Sequence, residues 1–288
     1  MLAPLPIPLQ RALGKSEISF KTRNGETVLD DLYQQGCAKI RLARKEPARL
    51  TEAVLINTTG GLTDGDDYTT NASWGKGTTA IVTTQAAERF YQIRDSKTSK
   101  AKASIVSNLK VGEDACAFWL PQESIMFDGA AYQRKTIIDL AESAKLVAVE
   151  SSVFGRAAMG ESVDHGYCRE IWQLRIAGKL VFADAFELDG PVAKKLNHPT
   201  IANGANAIST IIYAGPEAKE MRDMANAIFD DSNDIGRASC LGPVTIIRIL
   251  SADSQKLRLL VVPILEKLMN FATSSHSNNS LLPRVWSL

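Results

Sequence analysis

Carboxylates and glycines crowd one stretch of the chain, Asn57 to Asp67, which reads N-T-T-G-G-L-T-D-G-D-D. Gly60, Gly61 and Gly65 permit positive φ and close backbone approach, while Asp64, Asp66 and Asp67 can cap local amides or face a cation. Spelling excludes a phosphate cradle. A Walker loop needs G-x-x-x-x-G-K-[S/T], and around Gly75-Lys76 the first glycine is replaced by Thr70 and the closing hydroxyl by Gly77. A calcium loop is excluded too, because Asp64-Gly65-Asp66-Asp67 does not follow D-x-[DN]-x-[DN]-G. Two uses remain open: a tight, hairpin-like turn with solvated aspartates, or the same turn facing a cation.

Other reactive patterns are sparse. Cys37, Cys116, Cys168 and Cys240 form no C-x-x-C, which argues against a zinc ribbon or a redox motif and leaves buried thiols as the expectation. His165-x-x-Cys168 is a close metal-type pair, but with only His198 and His276 besides, no complete local ligand set is present. There is no G-x-S-x-G nucleophile elbow and no cysteine-protease surround.

The elements that must position these residues are mostly strands. Apolar residues alternate through Ile18 and Phe20, Lys39 to Leu42, Thr78 to Thr84, Ala101 to Leu109 and Tyr132 to Leu140. Ala53 to Ile56 and Tyr68 to Trp74 flank the glycine-rich turn, and Ala115 to Leu120 stops at Pro121. Lys145 to Glu150 is nearly continuous and suits a strand buried on both faces. Ile171 to Ile176 and Lys179 to Leu188 flank Ala177-Gly178 as a hairpin. Pro216 to Phe229 carries Met221, Met224, Ala225 and Ile228 at helical spacing, and Gln255 to Phe271 reads as a second helix that Pro263 should break or kink. Serine and asparagine then dominate Ala272 to Ser280, as in a linker or turn, before the closing Leu281 to Leu288. The predicted fold is mainly β: a layered stack of sheets built from many short strands, with two α-helices in the C-terminal third. With no repeat and no clear boundary, residues 1–288 are expected to form a single domain.

Composition narrows the partners. Thirty-three basic and 32 acidic residues among 288 leave a net charge of +1, so no broad field attracts nucleic acid or an anionic membrane. No apolar run approaches the roughly twenty residues that span a bilayer, and Met1 to Gln10 lacks a basic flank before an apolar core, so a cytoplasmic protein is expected.

Several separated stretches carry a family resemblance. Asn57-Thr58-Thr59-Gly60-Gly61-Leu62-Thr63-Asp64-Gly65-Asp66, Thr83-Thr84-Gln85-Ala86-Ala87-Glu88-Arg89-Phe90-Tyr91, Trp119-Leu120-Pro121-Gln122-Glu123 and Phe154-Gly155-Arg156-Ala157-Ala158-Met159-Gly160-Glu161 resemble, in order and spacing, the urease accessory protein UreD (UreH) family. Leu180-Val181-Phe182-Ala183-Asp184 and the closing Pro283-Arg284-Val285-Trp286 extend the resemblance over nearly the whole chain. It implies a non-enzymatic role. Family members form a complex with the accessory protein UreF and the GTPase UreG, dock on apo-urease, and help deliver nickel to its active site, by way of an internal water-filled passage. It also implies a mostly β, layered fold with two helices. No cofactor is then bound stably; nickel is in transit.

A divalent ion in transit suits scattered oxygen ligands that release it, and Asp66, Gln85, Glu161 and Asp184, each within a family-like motif, are the candidate positions. Each also has a structural use: Asp66 as a cap of the glycine turn, Gln85 within a backbone ladder, Glu161 paired with Arg156, and Asp184 at the end of a hairpin face. A second function class is a hydrolase using Asp66 and Glu161 as an acid and base pair, though nothing supplies a nucleophile or cofactor site. Partner contact is expected at the helix from Pro216 to Phe229 and at Leu281 to Leu288, unless both are ordinary core.

Overall fold

The computed structural model describes residues 11–44, 49–93, 101–156, 159–230, 235–273 and 280–286. The strands, in chain order, begin with β1 (Leu13–Arg23), β2 (Glu26–Gly36), β3 (Ala38–Leu42), β4 (Thr51–Asn57), β5 (Asp67–Trp74), β6 (Thr79–Thr84), β7 (Glu88–Phe90) and β8 (Ala103–Val111). They continue with β9 (Cys116–Leu120), β10 (Ser124–Met126), β11 (Ala131–Leu140), β12 (Lys145–Phe154), β13 (Gly166–Ile176) and β14 (Lys179–Gly190). Helix α1 (Val192–Leu196), β15 (Ala207–Ala214), α2 (Ala218–Asp230), β16 (Ile235–Leu241), β17 (Val244–Ser251) and α3 (Ser254–Ala272) complete the order.

Two sheets result. The outer one has seven strands in the order β14-β13-β11-β8-β5-β1-β2; the central one has ten, in the order β16-β17-β15-β12-β9-β6-β4-β3 with β10 and β7 attached beside β12. From β4 to β13 the chain passes back and forth between them: β4, β6, β9 and β12 are parallel neighbours in the central sheet, and β5, β8, β11 and β13 are parallel neighbours in the outer one. Parallel pairing needs a long crossover, usually a helix. Here each crossover is a strand of the opposite sheet.

Burial follows from this layering. β11 alternates because its other face is turned away from the core, whereas β12 is buried from Leu146 to Phe154 because the outer sheet covers one face and helices cover the other. Between the sheets pack Ile18, Phe20, Trp74, Leu109, Trp119, Ile138, Leu146 and Trp172. On the far face of the central sheet, Ile81, Phe118, Val147, Ile211 and Ile247 meet Met221, Ala225 and Phe229 of α2 and Leu257, Val261, Leu265 and Leu268 of α3. The helix from Pro216 to Phe229 is therefore core on its apolar side, and so is the C-terminal stretch, where Trp286 is 2% exposed.

Some expectations change. The Asn57 to Asp67 connection is not hairpin-like, since it leaves the central sheet at β4 and enters the outer sheet at β5. Pro263 does not break α3; it lies four residues after the 68% exposed Leu259, whose carbonyl loses its helical partner on the solvent side, where water can replace it. Besides the two expected long helices, the described residues hold a short one, α1, whose Val192 and Leu196 are buried beneath the ends of the sheets. Of the four cysteines, Cys37, Cys116 and Cys168 are buried but Cys240 is half-buried on β16, an edge strand. The 177–178 turn is as expected: Ala177 and Gly178 have φ of 49° and 78°, matching the twist of a two-residue hairpin, and Ile176 pairs with Lys179. The serine-rich 274–279 run and residues 157–158 of the Arg156 motif lie outside the described residues.

Candidate functional site

Asp66 is 5% exposed and both its carboxylate oxygens accept backbone amides, Oδ1 from Ala12 and Oδ2 from Thr63, each at 2.8 Å. Beside it Arg11 Nη2 donates to Asp64 Oδ2 at 2.9 Å, so the two aspartates fasten the start of β1 to the turn. Gly61, at φ 148°, lets the turn press against β7: a Cβ there would stand 2.7 Å from the Arg89 carbonyl oxygen and 2.4 Å from the Tyr91 ring. Leu62 N–H donates to that Arg89 carbonyl at 2.7 Å.

Behind this turn a cavity of about 180 Å³ enters between the two sheets. Exposed Gly60, Gln85 and Ala86 line its mouth, and buried Thr70, Ser107, Arg134 and Glu150 line its inner end. Glu88 lies between, its carboxyl pushed up by burial while Asn57 Nδ2, at 3.1 and 3.2 Å, pulls the other way.

The inner end is built on register. Ser16, Thr70, Ser107 and Thr136 stand side by side on β1, β5, β8 and β11, all buried and all on the face toward the central sheet. Ser16 and Thr70 share a hydrogen bond of 3.0 Å, and Thr136 donates to Glu150 Oε1 across the gap. Two residues along β11 from Thr136, on the same face, Arg134 donates from Nη1 to Ser124 Oγ at 2.8 Å and from Nη2 to Glu170 Oε1 at 2.7 Å. Its Nε lies 3.1 Å from Glu150 Oε2 as an ion pair, without the alignment of a hydrogen bond. One guanidinium thus faces two carboxylates. Burial would lower the Arg134 pKa, but Glu150 and Glu170 outweigh it and hold the group charged. For Glu150 burial wins over the opposing pull of Arg134, and its carboxyl rises to about 7.

Trp119 Nε1 and Gln122 Nε2, from two residues that line the same cavity, are buried without a hydrogen-bond partner among the described residues. Among the described residues no three His, Cys, Asp or Glu side chains are grouped to hold a metal ion. His165 is exposed while Cys168 is fully buried, its thiol pushed up by burial.

The four candidate positions are not brought together. Gln85 is at the cavity mouth; Asp66 caps its turn; Glu161 accepts two bonds from Arg156, at 2.7 and 3.1 Å, which hold its carboxyl below the usual range; and Asp184 pairs with Arg248 at 2.6 Å, linking β14 to β17. Asp66 is thus engaged by two backbone amides and Glu161 by Arg156. Arg134, Glu150, Glu170 and Glu88 are the residues that sequence reasoning did not select. A signal existed for the first: in Tyr132 to Leu140, Arg134 falls on the same parity as Tyr132, Ile138 and Leu140, the buried face.

Comparison with known proteins gives the family. Residues 12–287 match the sequence model described as UreD urease accessory protein. The urease accessory protein UreD of Agrobacterium fabrum is 39% identical over 99% of this chain and 95% of its own, and that of Rhizobium etli 38% identical over 97% and 96%. The Brucella suis protein of the same name is 34% identical over 98% and 96%. The chain belongs to the UreD urease accessory protein family. In this UreD chain the Asn57 to Asp66 and Thr83 to Tyr91 motifs together make the cavity mouth, and Trp119 to Glu123 makes part of its wall. Among its described residues no helix is long and apolar enough to cross a membrane.

Proposed function

We propose that the chain is a non-catalytic scaffold of urease maturation, which binds apo-urease together with UreF-type and UreG-type partners in the cytoplasm and passes nickel to the urease active site. The observation that carries this reading is the cavity between the sheets. It opens at Gln85, continues past Glu88, and ends on a buried row of hydroxyls beside Glu150. Scattered oxygens of this kind bind a divalent ion weakly enough to release it. Of the four candidate positions, Gln85 is carried forward as a contact of the ion in transit, joined by Glu88 and Glu150; Asp66, Glu161 and Asp184 hold other partners.

A plug at the mouth tests the reading. Ala87→Phe places a ring in the half-buried wall between Gln85 and Glu88. The variant should still co-purify with its partners and with apo-urease, and urease activated in its presence should hold markedly less nickel per active site. Normal nickel content with the plug in place would remove the cavity from the route.

A further inference from the structure

Asn57 at the end of β4 and Glu88 at the start of β7 are both half-buried, and both line the cavity. The Asn57 amide can sit only one way round. Thr59 donates its backbone N–H to Asn57 Oδ1 at 3.1 Å, and an N–H needs an oxygen opposite it, so the Nδ2 end is turned to Glu88. Thr59 Oγ1, 2.7 Å from the same oxygen, is a second hold on that orientation. Nδ2 then lies 3.1 Å from Glu88 Oε1 and 3.2 Å from Oε2, nearly equidistant from the two carboxylate oxygens. Oε1 also accepts the Arg89 backbone N–H at 3.2 Å.

We infer that Asn57 is a positioning residue whose Nδ2 occupies the place between the Glu88 oxygens that a chelated divalent cation would take, and so limits Glu88 to contact through one oxygen. A carboxylate binds such a cation through one oxygen or through both, and the two-oxygen mode puts the cation where Nδ2 stands. The N–H groups of Asn57 and Arg89 also draw on the charge of the carboxylate, which makes it a weaker ligand. Glu88 can then touch a passing ion without holding it. The first residues of the Asn57 to Asp66 motif thus have a use besides the turn: Asn57 fills the chelating position and Thr59 keeps its amide the right way round. The inference rests on the delivery reading above and adds what stops Glu88 from trapping the ion.

Asn57→Ser isolates the effect, because it leaves a hydroxyl for Thr59 in the same kind of turn and empties the place between the Glu88 oxygens. The full-length chain, purified with its partners, is equilibrated with Ni2+ alone and desalted, and nickel per chain is measured. Asn57→Ser should retain several-fold more nickel than the wild type and deliver less to urease. Asn57→Asp keeps the acceptor for Thr59 and adds a second carboxylate, so it should retain about tenfold more, as ligand charge tightens such sites. Glu88→Gln combined with either variant should abolish most of the gain. Wild-type retention in Asn57→Ser overturns the inference, whether or not the variant melts at lower temperature, as does a gain that survives Glu88→Gln. Should Asn57→Ser not fold, Asn57→Asp decides on the same terms. Should Ala87→Phe deliver nickel normally, the delivery reading fails and this inference with it; should the plug block delivery while Asn57→Ser retains nothing extra, only this inference fails.

Discussion

Arg134 Nε on β11 and Glu150 Oε2 on β12 meet at 3.1 Å across the gap between the two sheets, each side chain almost fully removed from water. Because Glu170 claims the same guanidinium at 2.7 Å, full ionisation leaves one uncompensated negative charge in the interior.

That excess charge predicts a pH-dependent stability. The folded-state pKa of Glu150, about 7, is above its ordinary value of 4.5, so between those pH values the folded chain binds more protons than the unfolded one. The Glu150 contribution is fully present below about pH 4.5, is lost as pH rises toward 7, and amounts to ~3 kcal/mol at most. Glu150→Gln leaves Arg134 matched by Glu170 alone. Denaturant unfolding from pH 5 to pH 8 should show the wild type weakening as pH rises and the variant weakening less; parallel curves would place the proton elsewhere.

Asp66 should behave as a cap. Asp66→Ala removes the acceptor for two part-buried amides and should cost about 0.5–2 kcal/mol, the range for lost caps. Asp66→Asn keeps one acceptor of the two and should recover part of that loss. Nickel per urease active site should be normal with both variants at temperatures where they remain folded.

The thiols should differ in reactivity. Burial raises Cys116 to about 12 and pushes Cys37 and Cys168 upward, so all three should resist a thiol-specific reagent at pH 8 until the chain unfolds. Cys240, half-buried on β16, should be modified first. With all four changed to Ala, stability should fall while urease activation persists; loss of activation in a folded, partner-bound variant would instead indicate thiolate ligation.

Trp286→Ala should cost about 3–5 kcal/mol, as for other buried aromatic residues, since it empties a buried site and removes one donor to the Leu120 carbonyl, leaving the Thr83 hydroxyl as its side-chain partner. Thermal unfolding of the partner-bound chain reads this directly.

Much of this was legible in the letters. Alternation in Tyr132 to Leu140 and its absence in Lys145 to Glu150 distinguish an outer strand from one covered on both faces, because each pattern records what lies against the pleat. Two of the family-like motifs, Asn57 to Asp66 and Thr83 to Tyr91, also supply residues at the cavity mouth. What the letters concealed was pairing at a distance. Glu150 ends an apolar run and is ordinary until Arg134, on the other sheet, is opposite it; Gln122 has no special standing until Arg258, far along the chain, takes its oxygen. Asp66 stood out by its glycine neighbours, but the letters do not show that its carboxylate accepts the Ala12 amide at the start of β1.

The passage of the chain back and forth between the sheets has a consequence for synthesis on the ribosome. β8 cannot pair with β11 until β9, a strand of the opposite sheet, has been made, and β9 cannot pair with β12 until β11 has been made. The two sheets therefore grow together, one strand at a time, each exposing an unfinished edge while the other advances. Non-local parallel pairing of this kind is slow and leaves nascent chains prone to aggregate. Yield should then depend on how fast the chain is made and what shields those edges, even when the finished molecule is stable.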